Sequence, residues 1–360
     1  MANRRRFLTS AVTASAVVGP AWAATFPGAF AGAVRQPIRT AQLGTRHAHA
    51  SKLSVFRKSP EFEVLGVCEP DPAARAAAQQ DPTYSDLPWL SQEQLLNLPG
   101  LELVLVETEV RDLLDAAEAC VNAGKHVHLD KPAGESLPQY RRIMAKADRQ
   151  KLLVQMGYMY RYNPGVVLLR EFLQQGWLGD VFEVHAVMSK VVDQATRRQL
   201  AKYRGGIFFE LACHVTDLVV GILGQPVEVT PFNQQVVTGQ DQLLDNMLSV
   251  LRYPHALATV KSSAQEVEGF ARRHLVVCGT QGTLQIEPLD DPRVRLALTK
   301  PIGKYGTGVQ TIDLPKYSRY VDDAADIARV IRGESPAQFS STHDLAVQET
   351  VLRSCGLPLN

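Results

Sequence analysis

Glu210, His214 and Asp217 are spaced i, i+4 and i+7, so on a helix they share one face. An imidazole with a carboxylate one turn away is a natural proton relay. The same spacing also suits a plain surface His–Glu pair, and these three residues alone leave both readings open. A second set of polar residues closes short apolar runs: Gly44, Glu69, Glu107-Thr108 and Asp130-Lys131. Glu69 stands 25 positions after Gly44. There a carboxylate can bind the adenosine ribose hydroxyls of NAD and repel the 2′-phosphate of NADP. Gly44 ahead of a helix could seat a pyrophosphate. In Gly44-Thr45-Arg46-His47-Ala48-His49, however, Arg46 and His49 replace the second and third glycines of a G-x-G-x-x-G loop. Arg46 offers a bidentate phosphate clamp in their place. The pairs His47-x-His49 and His126-x-His128 would each share one strand face. No third ligand has useful spacing, so no metal is expected. Cys213 and His214, as helix neighbours, point apart, which disfavours a thiol nucleophile.

The elements that must position these groups come in two patterns. Ile38–Leu43, 64–68, 101–106, 126–129 and 152–156 read as buried strands. Between them, 48–58, 73–80, 113–123 (stopped by Gly124) and 138–149 read as helices. This alternation predicts an α/β domain with a parallel sheet, with ligands at the carboxyl ends of its strands. The pattern then switches. After a helix near 165–175, strands are predicted at 179–187, 227–237, 245–253, 257–263, 273–278 and 282–286. Helices are predicted over 207–223, 320–331 and 342–355. The second half is therefore an α+β domain with an open, largely antiparallel sheet.

The chain has 360 residues, 45% of them hydrophobic and 21% charged, which excludes a mostly disordered chain. With 38 Lys+Arg against 37 Asp+Glu, no global field favours nucleic acid or an anionic membrane. The five cysteines form no C-x-x-C pair, hence neither a zinc site nor a disulfide framework. Residues 3–8, Asn-Arg-Arg-Arg-Phe-Leu, precede a short apolar run and Ala21-Trp22-Ala23. This is the layout of a secretory signal and resembles the twin-arginine export signal, with cleavage near Ala23. A periplasmic or exported protein is expected. The apolar run is too short to span a bilayer.

Together these segments resemble the Gfo/Idh/MocA family of NAD(P)-dependent oxidoreductases. The most specific match is Ala123-Gly124-Lys125-His126-Val127-His128-Leu129-Asp130-Lys131-Pro132, similar to A-G-K-H-V-x-x-E-K-P with Asp130 in place of Glu. Met156–Pro164 resembles the strand opening the second domain. Gly205–His214 resembles G-G-x-x-x-D-x-x-x-H with Glu210 in place of Asp. Gly279–Leu284 and His343–Glu349 match two further signatures. The family's T-P-N is Thr108-Glu109-Val110 here. The resemblance implies a Rossmann domain over 35–156, a substrate and oligomerisation domain over 157–340 and a C-terminal helix over 341–360. It also implies that Lys131 holds a substrate hydroxyl near a nicotinamide, that His214 takes its proton, and that Glu210 orients His214 or binds a neighbouring hydroxyl. Gly44, Thr45, Arg46, His47, Glu69, Thr108, Asp130 and Lys131 would contact the cofactor, a tightly held NAD rather than NADP. Arg161 and Asp217 would face the substrate, and Lys131-Pro132 would be a cis peptide. The implied activity is hydride transfer from a hydroxyl of a sugar, sugar derivative or polyol. Two alternatives are an NAD-dependent glycosidase working by oxidation and elimination, and a non-catalytic binding protein. A homo-oligomer is expected.

Overall fold

The computed structural model describes residues 35–239 and 241–360, so the export signal read from residues 1–23 lies outside the described residues. Pro37–Asn360 forms one compact unit. Its first sheet holds β1 (Ile38–Leu43), β2 (Phe62–Cys68), β3 (Leu103–Val106), β4 (His126–Leu129) and β5 (Val154–Met156), all parallel, in the order β2-β1-β3-β4-β5. All four residues of β3 are fully buried, because the sheet is covered on both faces. Val104 and Val106 join the apolar cluster on one side, Leu103 and Leu105 that on the other. The order reverses at β1 and β3, and a crevice opens beyond the carboxyl ends of such strands.

The second sheet holds β6 (Val181–Val187), β7 (Glu228–Gln234), β8 (Asn246–Arg252), β9 (Leu257–Ser263), β10 (His274–Gly279), β11 (Gly282–Ile286), β12 (Val294–Leu298) and β13 (Gly308–Ile312). Its order is β13-β12-β11-β10-β6-β9-β8-β7, antiparallel except for the parallel pair β6–β9. Strand burial alternates as a one-sided sheet requires. The inner face packs on the helix Cys213–Leu223, itself in contact with Ser341–Ser354. Phe182, Phe232, Leu248, Leu257 and Val309 are exposed. The helix expected over 207–223 is not uniform. Phe208–Ala212 forms a π-helical turn, and the α-helix begins at Cys213. Strands β12 and β13 and the helix Gln194–Leu200 were not anticipated. Among the described residues no helix is long and apolar enough to cross a membrane, and the five cysteines are free.

Candidate active site

Two elements from different halves of the unit deliver the central pair. Strand β4 ends at Leu129, and Asp130-Lys131 follow, with a cis peptide between Lys131 and Pro132. Lys131 is only 1% exposed. Its Nζ donates to the Glu210 carboxylate (3.0 Å) and to the Glu210 backbone carbonyl (3.0 Å). Burial pulls the ammonium pKa down, but the Glu210 carboxylate more than offsets this and holds it above its usual value. Burial likewise pushes Glu210 up, and Lys131 foremost brings it below the usual range. The two therefore form an ion pair.

His214 is also 1% exposed, ringed by Tyr158, Tyr160 and His49 with ring centroids 6.0, 5.8 and 5.7 Å away. Its Nδ1 is buried without a hydrogen-bond partner among the described residues. Burial, and then the charge of Lys131, hold its pKa well below the usual histidine value. A neutral imidazole beside a protonated ammonium can accept a proton while the ammonium stabilises the oxyanion left behind. One expectation changes. Glu210 orients Lys131, whereas the sequence spacing had paired it with His214, because the π-turn separates the two residues and the Lys131 ammonium competes for the carboxylate.

Arg161 and Asp217, expected at the substrate, are buried against each other. The guanidinium donates to Asp217 from Nε (3.1 and 3.2 Å) and Nη2 (2.6 Å), and from Nη2 to Asp344. His343 Nε2 lies 2.9 Å from Asp217. These groups tie the stretch after β5 to two helices of the second half. Both side chains are buried in this ion-pair network, which packs against the helix that carries His214, while Arg161 Nη1 has no hydrogen-bond partner among the described residues.

The cofactor crevice lies at β1 and β3. Gly44 has φ +91°, and a Cβ there would stand 2.5 Å from the Thr108 nitrogen, so the chain passes where only glycine fits. Glu69, at the end of β2, accepts from the Thr45 N–H (2.7 Å) and hydroxyl (2.9 Å) and from the Asp71 N–H (2.9 Å). Arg46 forms ion pairs with Glu109 and, at 3.8 Å, with Asp71. The crevice suits a dinucleotide at its ribose end, where the Glu69 carboxylate stands beside the cleft. Phosphates would meet Arg46 and few loop amides. Thr45 N–H is taken by Glu69, His47 N–H by the Glu107 carbonyl, and Ala50 N–H by the His47 carbonyl. These residues would hold the nucleotide, whose bound nicotinamide would supply the hydride acceptor.

Behind Lys131 lies a buried polar cluster that sequence spacing had missed. Lys52 Nζ contacts Glu107 (3.1 Å) and Asp130. His47 Nδ1 and His49 Nδ1 each lie 3.2 Å from an Asp130 oxygen. Asp130 is thus the third ligand-type group that the His47-x-His49 pair lacked. It comes from another strand end, 81 residues beyond His49.

Comparison with known proteins matches this architecture. Residues 38–158 match the model of the oxidoreductase family with an NAD-binding Rossmann fold, and residues 166–285 that of the GFO/IDH/MocA C-terminal domain. The chain is 28% identical over 206 residues to the uncharacterised oxidoreductase YdgJ of Escherichia coli, covering 57% of this chain and 59% of that protein. It is 27% identical to the Bos taurus trans-1,2-dihydrobenzene-1,2-diol dehydrogenase over 63% of this chain and 66% of that one. With the Thermotoga maritima myo-inositol 2-dehydrogenase it shares 24% identity over 68% and 74%. The chain thus spans somewhat less than two thirds of the first two relatives. The fold also matches the UDP-N-acetylglucosamine 3-dehydrogenase GnnA of Acidithiobacillus ferrooxidans with TM-score 0.73 and 17% identity, covering 89% and 97% of the two chains. A Rossmann sheet, the second sheet that follows it and two matching family models place this chain in the Gfo/Idh/MocA family of oxidoreductases.

Proposed function

We propose that the protein is an NAD-dependent oxidoreductase acting on a hydroxyl of a sugar, sugar derivative or polyol. The observation that carries this reading is the convergence of the Lys131 ammonium and the neutral His214 imidazole, each buried and drawn from a different half of the fold. Alcohol oxidation needs a proton acceptor beside a hydride acceptor at near-attack geometry. His214 takes the hydroxyl proton. Lys131, held by Glu210, stabilises the charge on the substrate oxygen. Tyr158 and Tyr160 exclude water around the imidazole. Dehydrogenases of an inositol, a dihydrodiol and a nucleotide sugar among the similar proteins support a polyol-like substrate class. The Glu69 carboxylate favours NAD over NADP. Export by the twin-arginine route, read from residues 3–23, would carry the protein out already folded, with its cofactor retained.

The committed amides of the 44–50 loop favour a second reading, a binding protein on the same scaffold. Protein purified without added nucleotide is denatured, its released ligand identified by mass spectrometry, and the folded protein titrated with NAD and NADP. Released dinucleotide or saturable NAD binding, followed by NADH formation with a panel of sugars and polyols, is the expected result. Neither released nucleotide nor binding on titration would overturn the dehydrogenase reading and favour the binding protein. Aglycone release from an aryl glycoside without net NADH would replace it with the oxidation–elimination glycosidase.

A further inference from the structure

We propose that His47, His49 and Asp130 form a binding site for one divalent transition-metal ion of the zinc or cobalt class. Nδ1 of His47, Nδ1 of His49 and a carboxylate oxygen of Asp130 all lie within 4.8 Å of one another. His47 Nδ1 lies 3.2 Å from Asp130 Oδ2 and His49 Nδ1 lies 3.2 Å from Asp130 Oδ1. Around a tetrahedral ion with bonds of about 2.0–2.1 Å, neighbouring ligand atoms stand about 3.3 Å apart. Two imidazoles and one carboxylate with an open fourth position make a donor set of the catalytic type.

The tautomer of His47 strengthens the case. Its Nε2 lies 2.9 Å from the Lys131 carbonyl, which can only accept, so Nε2 carries the hydrogen. A backbone carbonyl on the far nitrogen is the usual support of a metal-bound histidine, and it leaves a lone pair on Nδ1. That lone pair faces Asp130 Oδ2 at 3.2 Å and Glu107 Oε2 at 3.7 Å. Among the described residues, the donor that reaches it is the His49 backbone N–H, at 3.2 Å. Glu107 is fully buried, with Oε1 3.1 Å from the Lys52 ammonium and Oε2 without a hydrogen-bond partner among the described residues. The lone pair of His47 Nδ1 thus faces two carboxylate oxygens. Lys52, bonded to both Asp130 and Glu107, orients them from behind.

His49 is the one ligand with an accessible side chain, 16% exposed, and its ring borders His214. The ion's open position would then take the oxygen whose proton His214 accepts. That role rests on the proposed dehydrogenase function. The ion's binding does not.

The test uses full-length protein stripped with a chelator and then titrated with Co²⁺, followed by visible absorption, and with Zn²⁺ by calorimetry. One equivalent of each should bind, Co²⁺ giving the intense bands of a four-coordinate site. His47→Gln and His49→Gln, folded by circular dichroism, should each weaken binding by about 100-fold or more. His185→Gln, at a half-buried residue of the second sheet, should bind as wild type does. No stoichiometric binding of either ion would overturn the proposal. Equal binding by wild type and both ligand variants would overturn it as well. NAD titration of the same samples separates the two claims: Co²⁺ binding without NAD binding sinks the dehydrogenase reading and leaves the metal site standing.

Discussion

Replacing Arg161 with Met should destabilise the protein by about 4–5 kcal/mol near neutral pH. The guanidinium is fully buried and serves two buried carboxylates, Asp217 and Asp344. Removing one partner of a buried ion pair costs about 3–5 kcal/mol because a charge is left unpaired. Two carboxylates lose the same partner here, which places the effect in the upper part of that range. The guanidinium also sits 4.0 Å from the Phe339 ring centroid, a cation–π contact that Met does not reproduce. With an unfolding entropy of about 2.1 cal/mol/K per residue, the melting temperature should fall by roughly 6–7 °C. The pH dependence is diagnostic. Burial pushes the Asp217 carboxyl up, but Arg161 and His343 bring its pKa below the ordinary value. A depressed carboxyl stabilises the fold above its unfolded pKa, near 3.9, and that stabilisation is lost as pH falls through the folded value. Asp344 runs the other way. Burial, only partly offset by Arg161, raises its pKa, so its contribution favours the fold on the acid side and is lost as pH rises through the folded value. The gap between wild type and Arg161→Met should therefore be widest near neutrality and narrow below about pH 4. Urea melts across this range measure it. A loss below about 1 kcal/mol, or a gap that does not change with pH, would refute the reasoning and reduce Arg161 to packing.

Three further outcomes follow from the site. His214→Ala and Lys131→Ala should each lower turnover about 10²–10⁴-fold while circular dichroism stays native, and full activity in either would remove that residue from the chemistry. Gly44→Ala should destabilise the unit by at least about 1–3 kcal/mol and abolish dinucleotide binding, since its φ is positive and its Cβ would meet the Thr108 nitrogen; an unchanged urea midpoint would contradict the close approach. Glu69→Ala should weaken NAD binding about tenfold or more and narrow the preference over NADP, checked by parallel titrations. An unchanged preference would remove Glu69 from the ribose site.

Much of this fold is legible residue by residue. Strands 38–43, 126–129, 257–263 and 282–286 stand where their apolar runs predict, because each is flanked by turn residues and buried in a regular register. Strand β13 was missed because Gly308-Val-Gln-Thr-Ile is a mostly exposed edge, with no apolar face to announce it. The π-turn was missed for the opposite reason. Ile207, Phe208, Phe209, Leu211, Ala212 and Cys213 are all buried, so the hydrophobic pattern carries no phase from which a change of helical period could be read. Lys131 and His214 are singled out by motifs. Their working partners are not, since Glu210 reaches Lys131 across 79 positions and Asp130 reaches His49 across 81. Spacing along the chain reports neighbours on one element and is silent about groups that meet where two strands end.

The widened turn at Phe208–Ala212 has a consequence for how this chain can vary. A π-turn holds one residue more than the α-helical turn it replaces. Excising a single residue there would let the segment relax into ordinary helix with its hydrogen bonds intact. The side chains ahead of the cut would swing by about 100° relative to His214. The Glu210 carboxylate would leave Lys131, and the ammonium would face the cavity without its anion. At this point of the chain a length change of one residue is a more drastic edit than most substitutions, and descendants that differ by it should be sorted by chemistry before they are sorted by identity.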